Sequence, residues 1–520
     1  MRRVTTALTV AFFTVCPALV GASDKPEVET ASTSESQPQE APKSAQSATR
    51  HTIVVGGVTI DYTAIAGTLV VRDAKDQPWA SVGYVAYTRN GVADPSRRPV
   101  TFAYNGGPGS SSVWLHMGAL GPRRVVTTDA AATPPPPHRC VDNEFSILDR
   151  TDLVMIDPVG TGFSKAIGEA KEKDFLGVDA DIESVSRFIK QYVTENGRWN
   201  SPKYLLGESY GTTRSAGVVD YLQVREGMAF NGVILVSMAT DLDAILDTLM
   251  DGARYHQFQA PLYLPSYAAV AWYHEVLAGR PAELGILLDE VRAFALGEYA
   301  HALALGSSLP EADRKAMIDK LCRYTGLSSE YLDKADLKVS ASQFVKELLR
   351  DRRETVGFLD ARFHGVAFNP LGEKAEYDPQ DAATTPAFVA VFLDYLGREL
   401  GFGQGRTYVI QSDAWKTWDY RHKIEGAAMP QPMADTGVDL AHAMGFNPSL
   451  RVLVLQGIFD LATPLLATEY QVSHLDLRKD LRSHIEVKYY DAGHMMYMHE
   501  PSLTRFKSDV AAFIDGTARQ

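Results

Sequence analysis

Hydrophobic and polar residues alternate in one part of the chain and gather in short apolar runs in another. Residues 59–90 alternate and are rich in Val, Tyr and Thr, as in antiparallel strands with one buried face. The later runs lack this alternation and suit parallel strands that helices cover on both faces. They lie at Val100–Tyr104, Leu153–Ile156, Tyr204–Leu206, Val233–Val236, Val452–Leu455 and Ile485–Tyr490.

Helical periodicity separates these runs and, in one long segment, replaces them. It is present at Asp179–Tyr192. Between about Asp241 and Pro430 the chain shows helical periodicity and no strand pattern. The sequence therefore predicts one α/β domain, at 51–240 and 431–520, with a mostly helical cap inserted at 241–430. Such a cap would lie over the carboxyl ends of the strands, where open sheets place their sites.

The first 50 residues differ from the rest. Arg2 and Arg3 precede an apolar run, Ala7–Val20, that ends in small residues, which predicts a signal peptide at 1–22 and export to the periplasm or the medium. The run is shorter than the ~20 apolar residues of a membrane span, so no membrane anchor is expected. Residues 23–50 are rich in Ser, Thr, Pro, Gln and Glu, which predicts a disordered linker.

Charge and cysteine content narrow the possible partners. The net charge of −13, without a basic cluster, excludes the electrostatic surface of a nucleic-acid-binding protein. After removal of the predicted signal peptide, Cys140 and Cys322 remain. A disulfide that ties cap to core and a pair of buried thiols are equally compatible with this spacing in an exported chain. The pattern does not specify an oligomeric state.

A candidate nucleophile lies between a predicted strand and a predicted helix. Residues Gly207–Gly211 read Gly-Glu-Ser-Tyr-Gly, after the run Tyr204–Leu206 and before the helical segment Thr212–Val224. A turn this tight needs glycines, and it raises the serine hydroxyl above the sheet edge, beside the amino end of a helix. This context predicts Ser209 as a nucleophile, whereas the five-residue pattern alone would also fit a structural turn.

A serine nucleophile needs a base and a carboxylate that orients the base. Asp460 follows the run Val452–Leu455, and His494 follows the run Ile485–Tyr490, so that nucleophile, acid and histidine occur in the chain order of α/β hydrolases. Asp491 is an alternative acid, but it is too close to His494 in sequence to reach the ring edge opposite Ser209. We therefore predict a triad of Ser209, Asp460 and His494.

A glycine-rich segment, Asn105–Ser112, follows the run Val100–Tyr104. Its consecutive glycines can expose backbone amides, so we predict an oxyanion hole from the amide of Gly106 or Gly107 together with that of Tyr210. The alternative is a merely tight turn. No Lys-Ser/Thr follows the glycines, which argues against a phosphate-binding loop. The histidines and cysteines lack metal-site spacing, so neither a metal nor a cofactor is expected.

Four segments together resemble the signature set of the serine carboxypeptidase family: Asn105–Gly109, Asp157–Ser164, Gly207–Gly211 and Gly493–Met495. The resemblance implies an α/β-hydrolase fold with a mostly parallel central sheet and a helical cap. It also implies release of C-terminal amino acids from peptide or protein substrates. In this family, the residues at Asn105 and Glu208 would bind the terminal carboxylate of the substrate, and Met495 would border the substrate pocket.

The chain departs from the family pattern near the predicted site. Ala119 stands where the family has a glutamate that would pair with the side chain at Glu208, and Tyr497 and Pro464 replace a common proline and asparagine. Glu208 must be protonated to bind a carboxylate, whereas the triad histidine must be neutral. We therefore expect an acid preference that is milder than in the family. An esterase or other peptidase on the same scaffold, and a non-catalytic binding protein, are the alternative functions.

Overall fold

The computed structural model describes residues 44–245 and 258–518. The predicted signal peptide and the linker as far as residue 43 lie outside the described residues. The linker prediction is wrong for its last residues, because a strand begins at Ala45 and pairs along its length with the next strand. Backbone hydrogen bonds hold this largely exposed edge strand, and they do not require the apolar side chains that the sequence lacks there.

The described residues contain one large sheet and two short hairpins. The large sheet has the order β1-β2-β3-β7-β4-β9-β10-β13-β14, with β8 beside β3, while β5–β6 and β11–β12 are the hairpins. The strands are β1 Ala45–Val55, β2 Val58–Arg72, β3 Pro78–Arg89, β4 Val100–Tyr104, β5 Arg123–Val125, β6 Cys140–Asp142, β7 Asp152–Ile156, β8 Lys165–Ala166, β9 Lys203–Glu208, β10 Gly232–Val236, β11 Glu354–Val356, β12 His364–Val366, β13 Arg451–Gly457 and β14 Ile485–Tyr490.

Strand direction divides the sheet into two parts. The pairs from β1 to β7 are antiparallel, and the pairs from β7 through β4 to β14 are parallel. Each apolar run predicted as a parallel strand is therefore a strand of this mostly parallel sheet, and the alternating segment forms β2 and β3. The parallel strands end at one edge, so the loops that follow β4, β9, β13 and β14 come close together.

The α-helices of the described residues flank the sheet and build the cap. They are α1 Val113–Leu115, α2 Val178–Glu195, α3 Tyr210–Glu226, α4 Gln259–Tyr273, α5 Leu284–Phe294, α6 Ala300–Leu305, α7 Glu311–Thr325, α8 Ser329–Lys334, α9 Ala341–Glu347, α10 Pro379–Asp394, α11 Gly437–Phe446, α12 Leu465–His474, α13 Lys479–Arg482 and α14 Glu500–Thr517. None of them is long and apolar enough to cross a membrane.

Successive residues of the parallel strands point into two separate cores. In β9, Leu205 belongs to the core that contains α2 and α3, whereas Leu206 belongs to the core that contains α14. Cap residues such as Leu287 and Phe344 are part of the first core. The sheet is thus covered on both faces, and the cap shares its apolar interior.

The two described cysteines are free thiols. Cys140 lies in β6, at the edge of the core, and Cys322 lies in the cap helix α7; each is half-buried. The sequence was compatible with a disulfide or with two thiols, and the structure contains two thiols. No covalent bond between these cysteines ties the cap to the core.

Candidate active site

Ser209 lies at the turn between β9 and α3. Its φ of 59° and ψ of −131° are rare for a residue with a side chain, and they store backbone strain at the turn. The Ser209 amide donates to the Val236 carbonyl of β10 at 2.9 Å, which fixes the turn against the sheet. A Cβ atom at Gly106 would lie 2.5 Å from the Tyr210 nitrogen, so only glycine lets the glycine-rich loop approach this turn.

Asp460 and His494 are brought together by the loops after β13 and β14. The ring Nδ1 of His494 donates to Asp460 Oδ2 at 2.8 Å, and both side chains are buried. Asp460 also accepts from the amides of Ala462 and Thr463, at 2.8 and 2.9 Å, so its orientation is fixed from two sides. Asp491, the alternative acid, is exposed. The structure thus pairs the histidine with Asp460.

Opposing effects act on the protonation of His494. Burial, the largest single effect, would lower the pKa of its ring, but Asp460 together with Glu208 and Asp378 outweighs burial, and the net effect raises the pKa above its usual value. The hydrogen bonds of the ring in the described structure run from Nδ1 to Asp460 and Thr463. A hydrogen bond between Nε2 and the Ser209 hydroxyl stays a prediction, since such contacts often tighten only when substrate binds.

The predicted oxyanion amides belong to two segments that pack closely together, the glycine-rich loop and the start of α3. Tyr210 is the first residue of α3, so its N–H has no partner within the helix. Gly106 is buried against the turn, whereas Gly107 is exposed and its backbone is accessible to a substrate. The cap supports this loop, because the backbone amide of Ser111 donates to the Ile410 carbonyl at 2.9 Å. The oxyanion roles themselves stay predictions.

The two residues proposed to bind a terminal carboxylate are in contact. Asn105 Nδ2 donates to Glu208 Oε1 at 2.8 Å, and the Leu115 amide fixes the Asn105 side chain by donating to its Oδ1 at 3.0 Å. Burial is the main reason that the pKa of Glu208 is raised to about 7, although His494 and the side chains of Tyr497 and Asn105 oppose the shift. Met495 is buried in the second core, and its role in the substrate pocket stays a prediction.

The buried Arg214 is a supporting residue that the sequence analysis missed. Its Nε donates to Asp181 Oδ2 at 2.7 Å, and its Nη1 donates to the Asn105 carbonyl at 2.8 Å. The guanidinium also lies over the rings of Tyr104 and Tyr210. Arg214 therefore joins α2, α3 and the glycine-rich loop beneath the site. The one feature of the sequence that could have indicated this role is that Arg214 is a single charged residue among small ones.

A cap segment, residues 358–362, holds the loops of the acid and the histidine. The Leu359 carbonyl accepts from the His494 amide at 2.7 Å, and Ala361 donates to the Phe459 carbonyl at 3.1 Å. Asp360 Oδ2 accepts from the Gly493 amide at 2.9 Å. Arg362 pairs with the same carboxylate, so this buried charge is balanced. We refer to residues 358–362 as the cap brace.

The signature segment Asp157–Ser164 links the glycine-rich loop to the cap. Asp157 Oδ1 accepts from the Ser112 amide at 3.0 Å, and its Oδ2 accepts from the Tyr408 hydroxyl at 2.8 Å. Burial raises the pKa of Asp157 to about 6. Ser164 Oγ closes the segment by donating to the Asp157 carbonyl at 2.6 Å. The segment thus positions the loop that carries the predicted oxyanion amide.

Comparison with solved structures identifies the fold. The carboxypeptidase Kex1Δp of Saccharomyces cerevisiae, described as prohormone-processing, is 14% identical with a TM-score of 0.53, over 88% of this chain and 91% of that chain. A proline iminopeptidase of Mycobacterium smegmatis is also 14% identical, with a TM-score of 0.36, over 90% of this chain and 99% of that chain. The mostly parallel sheet with flanking helices is that of the α/β-hydrolase fold.

Sequence comparison finds one segment that is similar to a known family. None of the curated proteins matches the chain. Residues 75–256 match the family model for serine carboxypeptidases, and this segment contains the glycine-rich loop, the segment Asp157–Ser164 and the turn at Ser209. Asp460 and His494 follow in the expected order on the expected fold. Over residues 75–256 the chain is therefore similar to the serine carboxypeptidase family, and its fold is the α/β-hydrolase fold.

Proposed function

We propose that this protein releases C-terminal amino acids from peptides through an acyl-enzyme on Ser209. The observation that best supports this substrate class is the contact between Asn105 and Glu208, which joins a buried amide to a buried carboxyl beside the nucleophile. The pKa of Glu208, raised to about 7 mainly by burial, keeps this carboxyl protonated in acid. A protonated carboxyl can donate to a substrate carboxylate, whereas two ionised carboxylates would repel each other.

In the proposed mechanism, Asp460 holds the His494 ring in the tautomer that carries its proton on Nδ1. Nε2 then accepts the hydroxyl proton of Ser209 as its oxygen attacks the last peptide carbonyl. The amides of the glycine-rich loop and of Tyr210 bind the resulting oxyanion. His494 passes the proton to the leaving amino group, the C-terminal amino acid departs, and water then hydrolyses the acyl group from Ser209.

We also propose that the protein is exported to the periplasm or the medium and acts on peptides there. The support is the charged start and apolar run of residues 1–22. Sequencing the amino terminus of the protein from the extracytoplasmic fraction should give a start near Ser23. An intact Met1 in that fraction would contradict signal-peptide removal.

The proposed activity is tested with a peptide of free C terminus and the same peptide as its C-terminal amide. We expect stepwise loss of C-terminal residues from the free peptide, detected by mass spectrometry, and a much lower kcat/KM for the amide. Ser209→Ala is the matched control, and it should lose turnover while remaining folded. Equal hydrolysis of the two peptides would favour the alternative of a general esterase or peptidase. Absence of labelling by a fluorophosphonate would favour a non-catalytic protein.

A further inference from the structure

Two polar atoms beside the nucleophile are buried and have no hydrogen-bond partner in the described structure. They are Glu208 Oε2 and the Tyr497 hydroxyl. Each residue is only 3% exposed, so ordinary solvent does not explain how these atoms are satisfied. A buried polar atom without a partner is costly, and native proteins retain one mainly where a ligand or a bound water completes the site.

The two unpaired atoms belong to the same site. The charge of Glu208 raises the pKa of Tyr497, in addition to the effect of burial, and the Tyr497 hydroxyl in turn opposes the rise in the pKa of Glu208. Asn105, which donates to the other oxygen of Glu208, also acts on Tyr497. The hydroxyl, the carboxyl and the amide therefore form one polar cluster next to Ser209.

The position of the Tyr497 ring depends on a glycine. A Cβ atom at Gly118 would lie 2.5 Å from Cε2 of Tyr497, so the ring occupies space that any other residue at 118 would take. The next residue is Ala119, where the family pattern has the glutamate that would pair with the side chain at Glu208. The tyrosine ring thus packs against the residue that directly precedes Ala119.

We propose that the Tyr497 hydroxyl is a specificity-determining donor that binds the free C-terminal carboxylate of the substrate together with Glu208 and Asn105. The carboxylate oxygens accept from the Tyr497 O–H, from protonated Glu208 and from the second N–H of Asn105 Nδ2. One ligand thereby satisfies both unpaired atoms. This inference rests on the proposed carboxypeptidase function and names a residue that the family pattern does not supply.

A phenol differs from a carboxyl group in this position. The pKa of Tyr497 lies well above its usual value, mainly because of burial, so the hydroxyl keeps its proton at neutral and acid pH. It adds no negative charge to the site at any working pH. Recognition of the carboxylate then depends on a single titrating acid, Glu208, instead of a pair of acids.

The test is Tyr497→Phe, which removes the hydroxyl and keeps the ring against Gly118. For the free-carboxylate peptide we expect KM to rise roughly 10- to 100-fold with little change in kcat, because one hydrogen bond to a charged group is lost. For the C-terminal amide we expect no change. Tyr204→Phe is the matched control. The hydroxyl of Tyr204 is also buried, but it bonds to Thr517 at the far end of β9. The ratio of kcat/KM for the free peptide to kcat/KM for the amide should therefore stay as in the wild type.

A second variant tests the same inference in case Tyr497→Phe does not fold. Gly118→Ala keeps the hydroxyl but displaces the ring, and it should raise KM for the free peptide in the same direction. Fluorophosphonate labelling of Ser209 checks that each variant is folded. If Tyr497→Phe preferred the free peptide as strongly as the wild type does, this inference would be wrong and the proposed function would be unaffected. Equal turnover of free and amidated peptides by the wild type would overturn both.

Discussion

Glu208 and His494 place opposite demands on pH. Binding of a carboxylate requires Glu208 to be protonated, and its pKa of about 7 means that this form is lost as pH rises through neutrality. Catalysis requires a neutral His494, and its raised pKa means that this form is lost as pH falls. The groups that face Glu208 are His494, Asp460, Asn105 and Tyr497, so the two titrations are coupled and the observed pKa values belong to the pair.

We therefore expect a bell-shaped dependence of kcat/KM on pH for a peptide with a free C terminus. The acid limb reports the histidine, and the alkaline limb, near neutrality, reports Glu208. The matching C-terminal amide should show only the acid limb, since it needs no proton on Glu208. In Glu208→Gln the alkaline limb should disappear for the free-carboxylate peptide, and the profile of the amide should keep its acid limb alone. Parallel profiles for the two substrates in the wild type would show that Glu208 does not bind the carboxylate.

The acid of the triad can be tested by two matched substitutions. Asp460→Asn keeps the shape of the side chain but favours the wrong histidine tautomer, so kcat should fall by roughly 10³- to 10⁴-fold. Asp491→Asn changes an exposed residue three positions from His494 and should leave kcat near the wild-type value. Steady-state kinetics on one peptide decides the assignment. A large loss in Asp491→Asn alone would transfer the role to Asp491.

At the residue scale, the placement of residues at the ends of strands was predictable, whereas contacts built by packing were not. Ser209, Asp460 and His494 each follow an apolar run, and this position distinguished them from other serines, aspartates and histidines. Tyr497 entered the sequence analysis only as a replaced proline, because its contact with Gly118 joins segments far apart in the chain. Arg214 likewise gains its role from Asp181 and Asn105, which no local pattern connects to it.

At the element scale, the cap brace contacts the loops that carry the predicted acid and histidine. Asp360 accepts from the Gly493 amide and pairs with Arg362, and both partners are buried. Removing one charge of a buried pair destabilises a protein by about 3–5 kcal/mol. The same change would loosen the backbone that carries His494. The cap brace therefore holds the backbone that carries the predicted catalytic histidine.

We predict that Asp360→Asn lowers both the melting temperature and the rate of fluorophosphonate labelling at Ser209. The labelling rate should fall because the histidine loop loses a charged acceptor, even at temperatures where the variant is fully folded. Asp351→Asn, an exposed substitution in the same cap, is the control and should change neither quantity. A labelling rate equal to that of the wild type, below the transition, would show that the brace only stabilises the fold.

Elements were predictable where burial leaves a periodic pattern. Each predicted parallel strand is present: the inner strands β4, β7, β9, β10 and β13 are apolar and buried on both faces, whereas the edge strand β14 is only partly buried. Strand β1 was missed at its start, since an edge strand held by backbone pairing to β2 can be polar. The hairpin β11–β12 was also missed: it is three residues long on each side, too short for a period of two to be visible.

At the scale of the whole molecule, cap and core share one apolar interior. Leu287 and Phe344 of the cap belong to the same buried cluster as Phe102 and Leu235 of the sheet. Separating the cap would expose apolar surface on both sides, at about 25 cal/mol for each Å². We therefore expect cap and core to unfold in one cooperative transition, although the two parts of the core are far apart in sequence.

The free thiols provide a probe in each part, Cys140 in the core and Cys322 in the cap. In protein that lacks residues 1–22, the variants Cys140→Ser and Cys322→Ser each retain one thiol, whose reactivity can be measured against urea concentration. We expect the two midpoints to coincide with each other and with the loss of Ser209 labelling, because the shared interior and the cap brace couple all three regions. If Cys322 became reactive at lower urea while Cys140 stayed protected, the cap would be an independently unfolding unit. Loss of Ser209 labelling in that same urea range would then show that the active site requires a folded cap, even while the core is still folded.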